Sequence, residues 1–200
     1  KAATASLSDI ASMGGTPLFG VTALACPPDT DVAFVEQLYQ GMANAMSRFG
    51  ATIVGGDTTR SVEGVIVDVM VVGEVRGPRF LRRKGAQIGD LLAVTGHLGL
   101  SAAGLHALQH GLTAPTLVHN HRQPSSRVRE GQWLAGTPSV HAMIDISDGL
   151  VQDAGHLADA SQLGINIFPE RLPVYPPLTR FGEENALDTT RLMLTGGEDY

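Results

Sequence analysis

The chain is poor in residues that several function classes require. Its single cysteine, Cys26, rules out an internal disulfide and any multi-thiolate metal site, and fits a reducing compartment such as the cytoplasm. Lysine occurs only at Lys1 and Lys84 and the formal net charge is -6, so the basic stripe that follows a nucleic-acid backbone is missing. Nucleic acid is not an expected partner. No apolar run approaches the roughly 18 residues of a membrane span, and no basic segment leads into an apolar stretch as in a signal peptide. No G-x-x-x-x-G-K-[ST] occurs, so any phosphate chemistry is built without a P-loop. Repeats at solenoid spacing and low-complexity tracts are absent as well.

What is present is a core and four acidic segments. With 43% hydrophobic and 17% charged residues, 200 residues suffice for one or two domains around a buried interior. The segments are Ser8-Asp9-Ile10-Ala11-Ser12-Met13-Gly14-Gly15, Gly55-Gly56-Asp57-Thr58-Thr59-Arg60, Asp145-Ile146-Ser147-Asp148-Gly149 and Gly196-Gly197-Glu198-Asp199-Tyr200. Each sets a carboxylate beside glycine or a small hydroxyl residue. Oxygen ligands on tightly turned backbone suit magnesium, which binds through one or two carboxylates plus substrate phosphates. An acidic protein that handles polyphosphate needs metal ions to neutralise charge, and these motifs supply the ligands.

Periodicity predicts a helix over residues 6–13, N-capped by Ser6 or Ser8 with Asp9 in its first turn, and a strand over 18–25. A helix from about Asp31 carries Val32, Val35, Leu38, Met42, Met46 and Phe49 on one stripe, with Tyr39 at its flank and Gly50 at its C-terminal end. A short strand over 51–54 runs into a Gly-Gly-Asp turn, and residues 64–75 alternate with the period of two of a strand. Gly77-Pro78 breaks both patterns and marks the expected boundary between a domain over 1–76 and another over 77–200. The second half predicts strands over 90–96 and 143–146, extended chain at 165–167, and helices through Leu100 to Leu108, 126–134 and 149–163. The fold class is therefore α/β (α+β) in two domains. The chain opens at Lys1 without methionine and stops at Tyr200 straight after an acidic turn, so it reads as a fragment of a longer protein.

Each motif has a bland alternative. Gly55 to Arg60 reads as a surface turn closed by an Asx-type hydrogen bond, or as glycine amides approaching an anion while Asp57 and Thr58 face its cation. Ser147 or Asp148 can simply cap a helix, but capping leaves Asp145 unexplained. Asp9 can serve a helix N-terminus, and Glu198 and Asp199 can be solvated turn residues. Arg83, in Arg82-Arg83-Lys84-Gly85, is the best candidate for gripping a phosphate tail in a chain so short of cations. His119-Asn120-His121 is rejected as a metal motif, because residues two apart do not share a helix face and no second ligand pair stands at zinc spacing. Cys26 reads as a packing residue.

In this order, the segments resemble the thiamine-monophosphate kinases, within the ATP-binding superfamily that includes aminoimidazole-ribonucleotide synthetase. The likeness also takes in Arg83 to Asp90 (Arg-x-Gly-Ala-x-x-Gly-Asp), and Asp153 and His156 after the Ser-Asp-Gly segment. It implies an N-terminal domain of mixed sheet and helices that dimerises through its strands, and a C-terminal α/β domain. It implies that Asp9, Asp57, Asp145 and Asp148 bind Mg2+, that Tyr39, Gly56, Asp57, Arg83 and Ser147 contact ATP, and that Glu198 touches thiamine monophosphate. Asp57, Asp145 and Asp148 are then the catalytic aspartates. The family's upstream Gly-Asp-Asp segment, a substrate-contacting histidine and a downstream aromatic are not in this chain. The implied reaction is direct in-line transfer of the ATP γ-phosphoryl group to thiamine monophosphate, giving thiamine diphosphate. Two alternatives remain: a superfamily relative that activates another acceptor, and a non-catalytic Mg-nucleotide-binding fragment.

Overall fold

The computed structural model describes residues 1–77 and 79–200; Pro78, half of the expected boundary pair, lies outside the described residues. In chain order the elements are helix α1 (Ala2–Ser12), strand β1 (Thr16–Cys26), helix α2 (Val32–Ser47), strands β2 (Thr52–Arg60) and β3 (Ile66–Glu74), and helices α3 (Leu100–Gln109), α4 (Pro115–Arg122), α5 (Val128–Ala135), α6 (Leu150–Ser161), α7 (Pro176–Glu184) and α8 (Thr189–Thr195), with a 3-10 turn at Pro169–Arg171. This is a mixed α/β architecture. It divides into two compact units, Lys1–Phe80 with Val128–Gly136, and Leu81–Arg127 with Thr137–Tyr200. No helix among the described residues is long and apolar enough to cross a membrane.

In the first unit β1 lies between β2, to which it is parallel, and β3, to which it is antiparallel. Parallel neighbours need a crossover, and α2 supplies it. Asp31 starts α2 by accepting the Ala33 N–H at 2.9 Å, an N-cap that satisfies one of the helix's orphan donors. Ala3, Thr4, Leu7, Ser8 and Ala11, three or four residues apart, form the buried face of α1. Leu7 joins Met42, Met46, Ala51 and Val69 in the core. Full burial of Leu7 or Met46 contributes roughly 1.5 to 3 kcal/mol apiece. The predicted stripe of α2 holds at Met42 and Met46 and fails at Val32, which is 70% exposed.

Two expectations for this unit are corrected. Helix α1 begins at Ala2, so Ser6 and Ser8 are not caps: Ser8 is buried and the Ser6 hydroxyl donates to the Val69 carbonyl at 2.7 Å. Gly55 to Arg60 is not a turn but the body of β2, paired along β1 from Val21↔Gly55 to Cys26↔Arg60. A short apolar lead-in signals where a strand starts, not how far a neighbouring strand will carry it. In β3 the alternation holds, with Val67, Val69 and Val71 inward and Ile66, Asp68, Met70 and Val72 exposed.

The second unit packs Leu98, Leu100, Ala103, Ala107, Leu117, Leu150, Leu178, Phe181 and Met193 into its own core. Helices α3 and α6 fall where the sequence places them, whereas α4, α7 and α8 were not anticipated. The predicted strands over 90–96 and 143–146 are not strands, and 165–167 forms no ladder among the described residues. Alternation reports backbone conformation and facing. A strand also needs a neighbour in register, which local sequence does not specify.

Candidate active site

The first unit positions Asp9, Tyr39, Gly56 and Asp57. Asp9 is exposed on α1 and lies well past the first turn, so the favourable interaction with a helix N-terminus offered for it does not apply. Tyr39 is partly buried against the core that α2 covers. Gly56 stands opposite Thr22, and a Cβ there would collide with the Thr22 carbonyl, so the position requires glycine. Asp57 is exposed and paired with Ala23, which lies opposite Asp68 on its other side. One Asp57 oxygen accepts the N–H of Thr58 at 2.9 Å. The open sheet face thus carries acidic groups set among the apolar residues Ile66, Met70 and Val72.

The second unit brings two of the four acidic segments together. Asp153, 2% exposed, accepts three backbone N–H groups through one carboxylate oxygen: Ser147 at 3.0 Å, Asp148 at 3.0 Å and Gly149 at 3.1 Å. An anion at the start of a helix satisfies orphan donors and meets the positive end of its dipole. The Ser-Asp-Gly backbone is therefore held by a residue one turn into α6. Fifty residues later the chain returns alongside, where Glu198 N–H donates to the Ser147 carbonyl at 2.9 Å and Asp199 N–H to that of Ile146 at 3.2 Å. A Cβ on Gly197 would strike the Ser147 carbonyl, which fixes glycine at this close approach.

The side chains of this corner divide into fasteners and exposed groups. Asp199 is a fastener: its carboxylate accepts the N–H groups of Gly99 and Ser101 at the start of α3. Burial pushes its pKa up to about 6, against the downward pull of the Gly99, Ser101 and Leu100 amides and with a smaller upward push from Glu198. Glu198 is the outward neighbour. Its φ of 61 is left-handed, as are those of Gln162 and Ala186, but those two stand at the C-terminal caps of helices, at the cap residue and just after it, where such a conformation is ordinary. Glu198 follows no helix end so closely, and strain of this kind collects at functional positions. His121 of α4, rejected above only as part of a metal motif, lies at this corner. Its Nδ1 lies 3.0 Å from the Ser101 hydroxyl and 4.0 Å from the Glu198 carboxylate.

Asp148 is exposed, and its carboxylate accepts from Gln152 at 2.9 Å. One ligand atom each from Asp148, Asp153 and His156 lie within 4.8 Å of one another, a group that does not include the half-buried Asp145. One Asp153 oxygen is taken up by three amides and the residue is buried, whereas Asp148 is exposed, so Asp148 is the more accessible carboxylate for a cation. Its oxygen chemistry fits a hard ion, as His156 would not. Arg83 is exposed on a turn whose far end is fixed by Asp90, bonded to His141 Nδ1 at 2.9 Å and to the Gln87 N–H at 2.8 Å. The His141 hydrogen bond, then that of Gln87, holds the Asp90 pKa below its ordinary value. His141 carries no sequence signal of its own, and although Asp199 lies within an acidic segment and Asp153 within the family likeness, their fastening roles are tertiary and not legible locally.

A family model for the AIR synthase related protein, N-terminal domain, matches residues 1–75, and one for the corresponding C-terminal domain matches residues 87–193. The thiamine-monophosphate kinase of Aquifex aeolicus (strain VF5) is 35% identical over 205 residues, covering 100% of this chain and 65% of its own length. That of Escherichia coli (strain K12) is 39% identical over 207 residues, covering 100% and 61%. The chain thus spans a little under two thirds of these relatives. Among solved structures, AaThiL complexed with AMPPCP and TMP superposes with a TM-score of 0.90 at 35% identity, covering 97% of this chain and 63% of that one. A hydrogenase maturation protein HypE in complex with ATP, at 17% identity and a TM-score of 0.81 over 99% of this chain and 59% of its own, shares the fold.

Proposed function

Since the chain belongs to the AIR synthase related family, we propose that it carries the nucleotide- and metal-binding machinery of a thiamine-monophosphate kinase. The reaction is transfer of the ATP γ-phosphoryl group to thiamine monophosphate, giving thiamine diphosphate and ADP. One observation carries this reading: the Ser-Asp-Gly and Gly-Gly-Glu-Asp segments are hydrogen-bonded side by side, with Ser147, Asp148 and Glu198 at one corner. This pairing supports a site in which residues proposed to face the phosphates and a residue proposed to face the acceptor are neighbours. The relatives that match along the whole chain at 35% and 39% identity are named thiamine-monophosphate kinase.

The acceptor is a phosphate monoester with a second pKa of about 6, so it is mostly ionised at pH 7 and no general base is required. The barrier is repulsion between anions in line, which positioning and electrostatic stabilisation overcome. Asp9, Asp57, Asp145 and Asp148 are the proposed Mg2+ ligands, and their oxygen donors suit that ion. Bound magnesium would neutralise charge on the transferring group. Tyr39, Gly56, Asp57, Arg83 and Ser147 are the proposed ATP contacts; the Arg83 guanidinium is matched to paired phosphate oxygens. Glu198 holds thiamine monophosphate. The open face of the sheet, with Phe19 at 38%, Ile66 at 62%, Met70 at 62% and Val72 at 38% exposure, supports a homodimer formed through these strands. The compartment is the cytoplasm.

A coupled ADP-release assay on the purified protein, run with and without magnesium against a panel of acceptors, tests the reading. ADP formation that depends on both magnesium and thiamine monophosphate is expected. Preference for another acceptor would point to a different superfamily reaction, and Mg-ATP binding without ADP release to a non-catalytic module.

A further inference from the structure

Helix α6 holds functional backbone at both of its ends. At the start, Asp153 fixes residues 147–149. At the other end Ser161, the last residue of the helix, meets the turn that carries Arg83. Its hydroxyl accepts the N–H of Gly85 at 3.2 Å and that of Ala86 at 3.2 Å, and donates to the Arg83 carbonyl at 3.4 Å. A hydroxyl has one proton to donate and two lone pairs, so this group is used to capacity. The turn is confined further where a Cβ on Gly85 would collide with the His141 carbonyl, and where the Met143 N–H donates to the Arg82 carbonyl at 3.0 Å.

We infer that Ser161 is a positioning residue for Arg83, and that α6 acts as a spacer fixing the Arg83 turn relative to Ser147 and Asp148. Eight residues of helix separate Asp153 from Ser161, roughly 12 Å at 1.5 Å per residue. Both ends of this span carry groups assigned to the nucleotide, so the helix sets the separation over which the two grips act. The inference rests on the proposed ATP contact of Arg83. Because residues 83–85 are exposed, water replaces the Ser161 hydroxyl when it is removed. The fold survives, and the loss falls on the order of the turn.

The test is a double-mutant cycle on the purified protein, with Mg-ATP affinity read by calorimetry and the KM values for ATP and thiamine monophosphate read by ADP release. Ser161→Ala is expected to weaken ATP about 5- to 20-fold while leaving the KM for thiamine monophosphate within about 2-fold, and Arg83→Ala to weaken ATP at least as much. In the Arg83→Ala background, adding Ser161→Ala is expected to cost less than about 2-fold more. Independent, multiplicative effects of the two changes, or unaltered ATP affinity in Ser161→Ala, would overturn the inference. If the unmutated protein binds no Mg-ATP, it is the nucleotide reading itself that fails.

Discussion

Replacing Asp153 with alanine separates a fastening role from a surface acid at the site. The carboxylate accepts three N–H groups at 3.0, 3.0 and 3.1 Å and is 2% exposed. Gly149 is buried, so its stranded N–H costs about 1 to 3 kcal/mol, whereas the partly exposed amides of Ser147 and Asp148 recover water and cost about 0.5 to 1 kcal/mol each. Loss of an anion from a partly buried helix start removes up to about 2 kcal/mol more. Since these terms overlap, a net loss of about 3 to 5 kcal/mol is expected, a large part of a typical domain's stability. Asp153→Asn keeps the shape and one accepting oxygen, and loses about 1 to 2 kcal/mol. Urea denaturation with a shared slope gives both values, and ATP turnover of the asparagine variant should fall with the loosened Ser147 and Asp148 backbone. An alanine variant within about 0.5 kcal/mol of the parent would refute the fastening role, because exposed side chains alone give changes that small.

Asp57→Asn or Asp145→Asn should abolish turnover with an almost unchanged melting temperature; near-parental rates in either would remove that residue from the metal set. Asp199 has a pKa of about 6 against 3.8 in the unfolded chain, so the folded state holds its proton more tightly and stability falls as pH rises from about 4 through 6, by about 3 kcal/mol. Asp199→Asn has no proton to lose, and its stability curve should be flatter over that window; an identical slope in both proteins would show that Asp199 is not the responsible group. Met70→Glu, on the open sheet face, should shift sedimentation from dimer to monomer, and an unchanged association state would place the dimer contact elsewhere.

Local pattern carried α1, α2, α3, α5 and α6, whose helical stretches are each legible from the sequence. It failed at β2, where Gly55 to Arg60 has the composition of a turn and is drawn into extended form by pairing with β1. It also missed α4, α7 and α8, the last of which is started by an Asp188 cap on the Arg191 N–H. Among site residues, the four acidic segments stand out as carboxylates beside glycine. The residues that hold them do not: Asp199 looks like the outer half of an acidic turn and instead anchors α3, and Ser161 looks like an ordinary helix-end serine. Their partners lie 75 or more residues away, beyond the reach of any local pattern.

The most direct test of the account follows the phosphoryl group itself. With ATP labelled in its γ-phosphate, magnesium and thiamine monophosphate, the purified protein should place the label in thiamine diphosphate, one equivalent for each ADP formed, with none released as inorganic phosphate. Label appearing in free phosphate, or ADP forming at the same rate without thiamine monophosphate, would contradict it.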